Sequence, residues 1–361
     1  MEIKAGYKWI KTGILIFIVV LIRIFSVFGD SVERYYSTGF FPWFAPKLRV
    51  IQSHIPFSLG DILYALVAIW LIKSLFWLII ALIRFRKEKA ALADSIRIGV
   101  NRLLWLYIIF NVFWGLNYDR LGIAYQLKID PREYDVPELQ RLTADLLTKV
   151  NSCRRQIDSQ KLAYPSNENI FHGTVEAYQS VQASFPFLRY DHPSIKSSLY
   201  GKLGNYMGFL GYYNPFTAES QVNVTPPRFV LPYVTCHEVA HQLGYGSESE
   251  ANFVGYLVAA RSKDVRFNYS VYFDLFSYAN NELFMRDSVA ARANYKQLDT
   301  LVKLDIKEYR KFFKQYRNPI EPFIKVFYSN YLKANNQPKG IDSYNEVVGW
   351  LIAYRKKYGV I

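Results

Sequence analysis

The stretch Thr235-Cys-His-Glu-Val-Ala-His-Gln-Leu-Gly244 contains the motif His-Glu-x-x-His, which is the strongest indication of the fold in this sequence. Residues four apart share a face of a helix, so His237 and His241 can offer two imidazole nitrogens to one zinc ion. Glu238 lies one step round the helix, where its carboxylate can take a proton from a water molecule that zinc activates. The motif therefore predicts zinc-dependent peptide hydrolysis.

A structural interpretation of the same residues competes with the catalytic one. Thr235 and Glu238 fit the capping box Thr-x-x-Glu, in which Glu238 would only bind the N-cap amide of a helix. Pro232 favours an earlier helix start, because proline is common in the first helical turn. That start places Thr235 inside the helix and leaves Glu238 for chemistry, so we favour a metal site.

A catalytic zinc normally takes three protein ligands and keeps one position open, so a third ligand is needed. An all-histidine site would require a histidine at position 247, but that residue is Ser247. Glu248 and Glu250 remain as candidates. Ser247 and Glu250 form a second capping box, Ser-x-x-Glu, at the start of the next helix, which gives Glu250 a structural role. We therefore predict Glu248 as the third ligand, with Glu250 as the alternative.

Asn252 lies four residues after Glu248 on the same helical face, where its amide oxygen can accept the outer N–H of a ligating histidine. The segment from Glu248 to Asn252 resembles the Glu-x-x-Ala-Asp segment of gluzincin metallopeptidases, whose glutamate is the third zinc ligand. Asn252 replaces the usual aspartate, and a neutral amide cannot raise the basicity of a histidine. The resemblance implies an α+β, zincin-like (gluzincin) domain.

Three segments together resemble a narrower family. They are Asn214-Pro-Phe-Thr-Ala-Glu219, His237-Glu-Val-Ala-His-Gln-Leu-Gly244 and Glu250-Ala-Asn-Phe253. In this combination the chain is similar to DUF3810, a family of bacterial membrane proteins. The resemblance covers most of the chain, including the hydrophobic N-terminus, and it implies a fold and a metal site without indicating a substrate.

Three apolar segments predict transmembrane helices at about residues 10–28, 62–83 and 103–118. A hydrocarbon core about 30 Å thick requires about 20 apolar residues, and the third segment depends on its flanking residues Trp105, Trp114 and Tyr118 to reach both interfaces. The prediction is a membrane anchor at residues 1–118, followed by the zincin-like domain at residues 119–361. Three spans without an evident repeat make a poor solute pathway, so we do not predict a transporter.

The charges beside these spans predict their orientation. The densest basic cluster follows the second span and consists of Arg84, Arg86, Lys87 and Lys89. Basic loops stay in the cytoplasm, so the N-terminus is also expected there and the catalytic domain on the extracytoplasmic side of a bacterial inner membrane. The first span lacks an Ala-x-Ala-like site before Asp30, which favours a retained span over a cleaved signal peptide.

Two regions outside the spans carry further predictions. The aromatic residues of loop 30–58 fit either an interfacial belt or a hydrophobic cluster packed on the catalytic domain. Residues 197–224 are rich in Gly, Tyr and Phe, which predicts strands and turns. In zincins an edge strand before the zinc helix pairs with substrate. The candidate strand consists of Ala218, Glu219, Ser220, Gln221 and Val222, and its alternative role is an ordinary sheet edge.

The residue that stabilises the oxyanion is not indicated by any motif. No histidine follows His241, so a downstream histidine is excluded, and Tyr344 and Tyr256 are only two of 29 tyrosines. The net charge of +14 is spread among helices without a nucleic-acid-binding motif, so we expect attraction to an anionic membrane surface and no nucleic acid partner.

Taken together, these residues predict a membrane-anchored zinc metalloendopeptidase that hydrolyses peptides or envelope proteins. The expected cofactor is Zn²⁺, and the expected partners are a peptide or protein substrate and the lipid bilayer. The main alternative is a catalytically inactive zinc-binding protein with a sensory or peptide-binding role. An open coordination position beside Glu238 would favour the enzyme, and a fourth protein ligand would favour the alternative.

Overall fold

The computed structural model describes residues 2–83, 89–131, 133–340, 342 and 346–361. It is mostly helical and contains a small three-stranded sheet. The predicted α+β class is thus confirmed in part, since both kinds of element are present but helices form most of the structure. The basic residues Arg84, Arg86 and Lys87 and the candidate Tyr344 lie outside the described residues.

The helices and strands follow one another along the chain with short connections. The helices are α1 (Glu2–Val27), α2 (Gly29–Ser31), α3 (Phe41–Ser53), α4 (Leu59–Ile83), α5 (Lys89–Phe113), α6 (Gly122–Leu127), α7 (Val136–Ser159), α8 (Asn167–Val181), α9 (Gly201–Met207), α10 (Leu231–Gln242), α11 (Glu248–Ala259), α12 (Val265–Arg286), α13 (Ser288–Gln297), α14 (Thr300–Lys314), α15 (Glu321–Ala334) and α16 (Val347–Tyr358). A π-helix at Val32–Phe40 joins α2 to α3. The strands are β1 (Ile195–Ser197), β2 (Gly211–Asn214) and β3 (Glu219–Val222).

Helices α1, α4 and α5 are long and apolar enough to cross a membrane, through Trp9–Ser26, Leu59–Trp77 and Leu92–Phe113. The third helix differs from the predicted span at 103–118, because it begins earlier and ends at Phe113. The chain then continues as a 3₁₀ turn at Gly115–Asp119. Residues before position 103 therefore supply the length that the predicted segment 103–118 did not provide.

The aromatic loop after α1 is helical and divides its side chains between two environments. Tyr36 and Phe41 are buried in a second hydrophobic core together with Trp114 and Tyr213, which confirms packing against the rest of the protein. Tyr35 and other aromatic residues of the same loop are exposed. Since nothing in the structure tests what the exposed rings contact, the interfacial aromatic belt stays a prediction for them.

The sheet corrects the prediction for the substrate strand. The strand order is β1-β3-β2, with β3 parallel to β1 and antiparallel to β2. The segment Ala218, Glu219, Ser220, Gln221 and Val222 is therefore central rather than at an edge, and it is wholly buried. Its backbone groups bond to strands on both sides, so no substrate strand can be added to it. Within the predicted strand region, Gly201–Met207 forms α9 instead.

The main core surrounds the two helices that follow the sheet. Helix α7 begins at a capping box of Asp135 and Glu138 and buries its leucine stripe in this core. Helices α10 and α11 are buried along their whole length. Both pack against α8 and α12, while α10 also packs against β2 and β3, and α11 against α16. This packing holds two consecutive helices rigidly against each other.

Candidate metal centre

Helix α10 begins where Pro232 predicts. The proline lies in the first turn, and the Thr235 hydroxyl donates to the Leu231 carbonyl oxygen at 2.7 Å from inside the helix. Thr235 therefore caps nothing, and Glu238 does not form a capping box. At the other end Gly244 adopts a φ of +88°, which only glycine takes without strain, and the chain turns back toward α11.

Helix α11 begins at Glu248, with Ser247 at the N-cap but without a side-chain capping bond. The predicted capping box of Ser247 and Glu250 is wrong. The Glu250 carboxylate points away from its own helix end and accepts a hydrogen bond from the Ile123 amide at 2.8 Å, in the first turn of α6. Glu250 thus has a structural role, but at a different helix from the one that the sequence indicated.

The two helices bring three ligand atoms to one point. The Nε2 atoms of His237 and His241 are 3.1 Å apart, and Oε2 of Glu248 lies 3.3 Å from the first and 3.4 Å from the second. Atoms that each bind a tetrahedral zinc ion at about 2.0–2.1 Å are about 3.3–3.4 Å from one another. The spacing of the three atoms fits one metal ion without rearrangement.

Neighbouring groups fix the orientation of both imidazoles. Nδ1 of His241 donates to the Tyr245 carbonyl oxygen at 2.7 Å, so its Nε2 carries the lone pair in the neutral ring. Asn252, the residue that the sequence suggested for this purpose, lies beside His237 and acts to raise the pKa of its ring. The Trp114 indole N–H donates to the His241 carbonyl oxygen at 3.0 Å and steadies the last turn of α10. Such outer contacts are typical of protein metal sites.

The electrostatics of the three candidate ligands are strongly coupled. Burial by itself would raise the pKa of Glu248, but His241 and His237 hold that pKa well below its usual range. Burial lowers the pKa of His237. Burial also opposes protonation of His241, but the adjacent Glu248 carboxylate raises the pKa of this ring to about 9. The Glu248 carboxylate is thus the main favourable electrostatic partner of both imidazoles.

Glu238 lies beside these ligands and its Oε2 has no hydrogen-bond partner among the described atoms. Burial raises the pKa of its carboxyl to about 8. The carboxylate passes close to Gly211 of β2, where a Cβ atom would come within 2.4 Å of Glu238 Oε1. Gly211 thus leaves room for a buried acid whose oxygen is not committed to the protein.

Residues 36–352 match the family model described as Protein of unknown function (DUF3810). The chain belongs to the DUF3810 family. No curated protein and no solved structure matches it. The region shared with other DUF3810 proteins contains the second and third apolar helices and both helices of the candidate metal centre.

A group of tyrosines covers one side of the site in this DUF3810 protein. The Tyr328 hydroxyl on α15 donates to Glu248 Oε1 at 2.8 Å, and the hydroxyls of Tyr118 and Tyr331 are 3.1 Å apart beside it. No sequence motif separates these three residues from the other tyrosines, so their position beside Glu248 was not predicted. Tyr256, a sequence candidate for stabilising the oxyanion, packs against the rings of Phe253 and Tyr354.

Proposed function

We propose that this protein is a membrane-anchored zinc metallopeptidase that hydrolyses peptide bonds in peptides or envelope proteins. The observation that carries the proposal is the convergence of His237, His241 and Glu248 at ligand spacing beside Glu238. Oε2 of Glu238 has no hydrogen-bond partner within the part of the chain that the structure describes. A purely structural ion-pair network can also bury a glutamate beside two histidines. Such a network would not need a second buried carboxylate, that of Glu238, next to it.

The donor set favours zinc over harder cations. Two imidazole nitrogens and one carboxylate oxygen form a common ligand set of catalytic zinc, whereas magnesium and calcium prefer oxygen ligands alone. A zinc ion held there supplies Lewis acidity, which polarises a peptide carbonyl and makes a water molecule acidic enough to lose a proton at about pH 7. The gluzincin-like assignment of the domain is part of this proposal.

Glu238 is the residue proposed to take the proton from water and pass it to the leaving amine. Burial raises the pKa of Glu238 to about 8, which suits a carboxyl that both accepts and returns a proton. A cation bound nearby would lower this pKa to a value closer to 7. Tyr328 is a candidate for orienting Glu248 through its hydrogen bond to Oε1.

The strand proposed to align the substrate is β2 rather than β3. Strand β2 is at the end of the sheet order and reaches the site at Gly211, beside Glu238. An extended polypeptide that pairs with its outer edge would be held by main-chain hydrogen bonds and would pass the buried carboxylate.

The proposal is tested on the full-length protein in detergent, by zinc content and peptide cleavage of wild type and Glu238→Gln. Both proteins are expected to contain about one zinc ion, because Glu238 is not a ligand. Cleavage of casein is expected to fall by about 10²–10⁴-fold in the variant, which lacks the proton acceptor. Equal cleavage would refute the role of Glu238, and wild-type protein without zinc would refute the metal site. Zinc without cleavage of any substrate would favour the sensory or peptide-binding alternative.

The proposed orientation places the N-terminus in the cytoplasm and the metal centre on the extracytoplasmic side. Fusions of alkaline phosphatase and of green fluorescent protein after Ile361 test it. The phosphatase folds only outside the cytoplasm, so we expect an active phosphatase and a dark fluorescent fusion. The opposite pattern would reverse the proposed topology.

A further inference from the structure

Helix α15 presents two different faces. Tyr328 and the buried Leu332 point inward, toward the metal centre and the core. On the opposite face Ile320 at the N-cap, Phe323 and Phe327 are 64%, 76% and 76% exposed. Positions i, i+3 and i+7 share one side of a helix, so these large apolar side chains form a continuous exposed stripe. Water is an unfavourable environment for such a stripe.

The position of α15 relative to the apolar helices suggests what covers the stripe. Tyr331 of α15 is hydrogen-bonded to Tyr118, which follows α5, and it interacts electrostatically with Tyr64 in the second turn of α4. Asn336, just after α15, donates to Asp119, which in turn interacts with Arg23 near the end of α1. Helix α15 therefore lies at the end of the bundle that all three apolar helices share.

Helix α9 extends the same exposed apolar surface. Leu203 on α9 and Leu199, two residues before the helix begins, are largely exposed. The Leu199 amide donates to Asp61 Oδ2 in the first turn of α4 at 2.7 Å. The Asn318 side chain, just before α15, donates to the Tyr206 carbonyl oxygen of α9 at 2.8 Å. The exposed residues of α9 and α15 are thus continuous with the apolar surface where α4 begins.

We propose that α15 and α9 lie in the surface of the lipid bilayer, with Phe323, Phe327 and Leu203 inserted among the acyl chains. Helix α15 has 14 residues and a length of about 21 Å, which is too short to span the hydrocarbon core. Amphipathic helices of this kind lie in the interface plane with their apolar face in lipid. Lys333 in the last turn of α15 supplies positive charge for anionic headgroups, whereas Lys325 is paired with Glu321 at 2.6 Å.

The lipid contact places the metal centre against the membrane surface. Tyr328 contacts Glu248 from one side of α15 while Phe327, the preceding residue, enters lipid on the other. The substrate class that fits this arrangement is a polypeptide segment held at the bilayer surface, such as the juxtamembrane part of a membrane protein. This consequence for substrate rests on the proposed function, whereas the lipid contact itself does not.

Spin labels on single cysteines in full-length protein reconstituted in nanodiscs test the lipid contact. The background variant is Cys153→Ser, since Cys236 is fully buried and will not react. Labels at Phe323→Cys and Phe327→Cys are compared with labels at Met285→Cys and Val289→Cys. The control side chains are apolar and 83% and 78% exposed, but they lie at the junction of α12 and α13. Power saturation with oxygen and with a water-soluble nickel complex measures contact with lipid and with water.

We expect an oxygen-to-nickel accessibility ratio several-fold higher at positions 323 and 327 than at the two controls. Equal ratios at all four positions would overturn the proposal. Dipolar broadening between labels at position 327 would also overturn it, because a second copy of the chain would then cover the stripe. The measurement requires neither zinc nor cleavage, so its outcome is independent of the enzymatic proposal. Monodisperse elution of every labelled variant is required before comparison.

Discussion

The first turn of α11 carries two buried glutamates, and they face very different surroundings. Glu248 points to the metal-site side, where His237, His241 and Tyr328 meet its carboxylate. Glu250 points to the ion-pair side, where it accepts the Ile123 amide close to Arg120. The residue type and burial are the same on both sides, so the difference between the two roles comes from the partners alone.

The partners set the charge of each carboxylate. The histidines hold the pKa of Glu248 well below its usual range in spite of burial. Burial raises the pKa of Glu250 to about 7, with Arg120 opposing the rise only in part, since the Arg120 guanidinium already binds Glu33 through two hydrogen bonds. One side of the turn therefore offers an ionised oxygen to a cation, while the other anchors a neighbouring helix.

The largest expected difference between the two sides is in zinc binding. Glu248→Ala removes a ligand, so we expect the zinc content of the purified protein to fall to background. Glu250→Ala leaves the three ligands in place and should keep about one zinc ion per chain. Elemental analysis of both variants beside wild type measures this. Loss of zinc in Glu250→Ala alone would exchange the roles of the two residues.

The next effect concerns the ion-pair side. Arg120→Met leaves the Glu33 carboxylate buried without its cation, and we expect the free energy of unfolding to fall by about 3–5 kcal/mol. Arg155→Met is the control, because the Arg155 side chain is mostly exposed and its partner Asp299 is 3.6 Å away, so its effect should stay within about 0.5 kcal/mol. Denaturant titration in detergent compares them. Similar stability of both variants would contradict a structural role for the pair.

Two glycines, one on each side, allow the two sides to be tested separately by the addition of a methyl group. A Cβ at Gly211 would lie 2.4 Å from Glu238 Oε1, and one at Gly122, whose φ is +70°, would lie 1.7 Å from Glu250 Oε1. Gly211→Ala should reduce cleavage while zinc content is unchanged. Gly122→Ala should lower stability by about 1–3 kcal/mol, since it combines backbone strain with displacement of Glu250.

Gly99→Ala controls for the substitution itself, because a Cβ there meets no atom within 4 Å. It should change neither cleavage nor thermal stability appreciably. If Gly211→Ala cleaves as well as Gly99→Ala, the space beside Glu238 is not needed for activity.

The smallest expected effect is on the pH dependence of stability. Burial opposes ionisation of Glu33, but the Arg120 hydrogen bond and charge lower its pKa below 4.5. A group with a lowered pKa in the folded state stabilises the protein above its unfolded pKa, and this contribution is lost as the pH falls through the folded pKa. Wild type should therefore lose stability below about pH 4.5 more steeply than Glu33→Gln. Parallel melting-temperature profiles from pH 7 to pH 3 would contradict this.

Local sequence signals predicted the metal-site side well. The motif spacing indicates His237 and His241, and Pro232 indicates the start of their helix. The choice of Glu248 rests on assigning Glu250 to a capping box that the structure does not contain, and the structure nevertheless brings Glu248 to both imidazoles. Each of these signals acts within a helical turn or between two consecutive helices. Short-range geometry of this kind can be read directly from residue spacing.

The features that the sequence did not predict depend on distant partners. Glu250 was expected to cap its own helix, but its partner is Ile123, 127 residues earlier. The segment 218–222 was expected at a sheet edge, but β1, which is only three residues long, pairs with it. Spacing within one segment contains no information about such partners. Tyr328 escaped notice for the same reason, because its contact with Glu248 crosses 80 residues.

The hydrogen bond from Trp114 to the His241 carbonyl has a consequence for proteolytic processing. A cut between residues 118 and 119 would separate Trp114 and its neighbours Tyr36 and Phe41 from Tyr213 and Ala218, which complete the same core. Both fragments would then expose large aromatic surfaces, and the second would lose the support beneath His241. Cleavage at this point is therefore expected to destabilise the fragment that carries the candidate metal centre rather than to release it as a stable, folded domain.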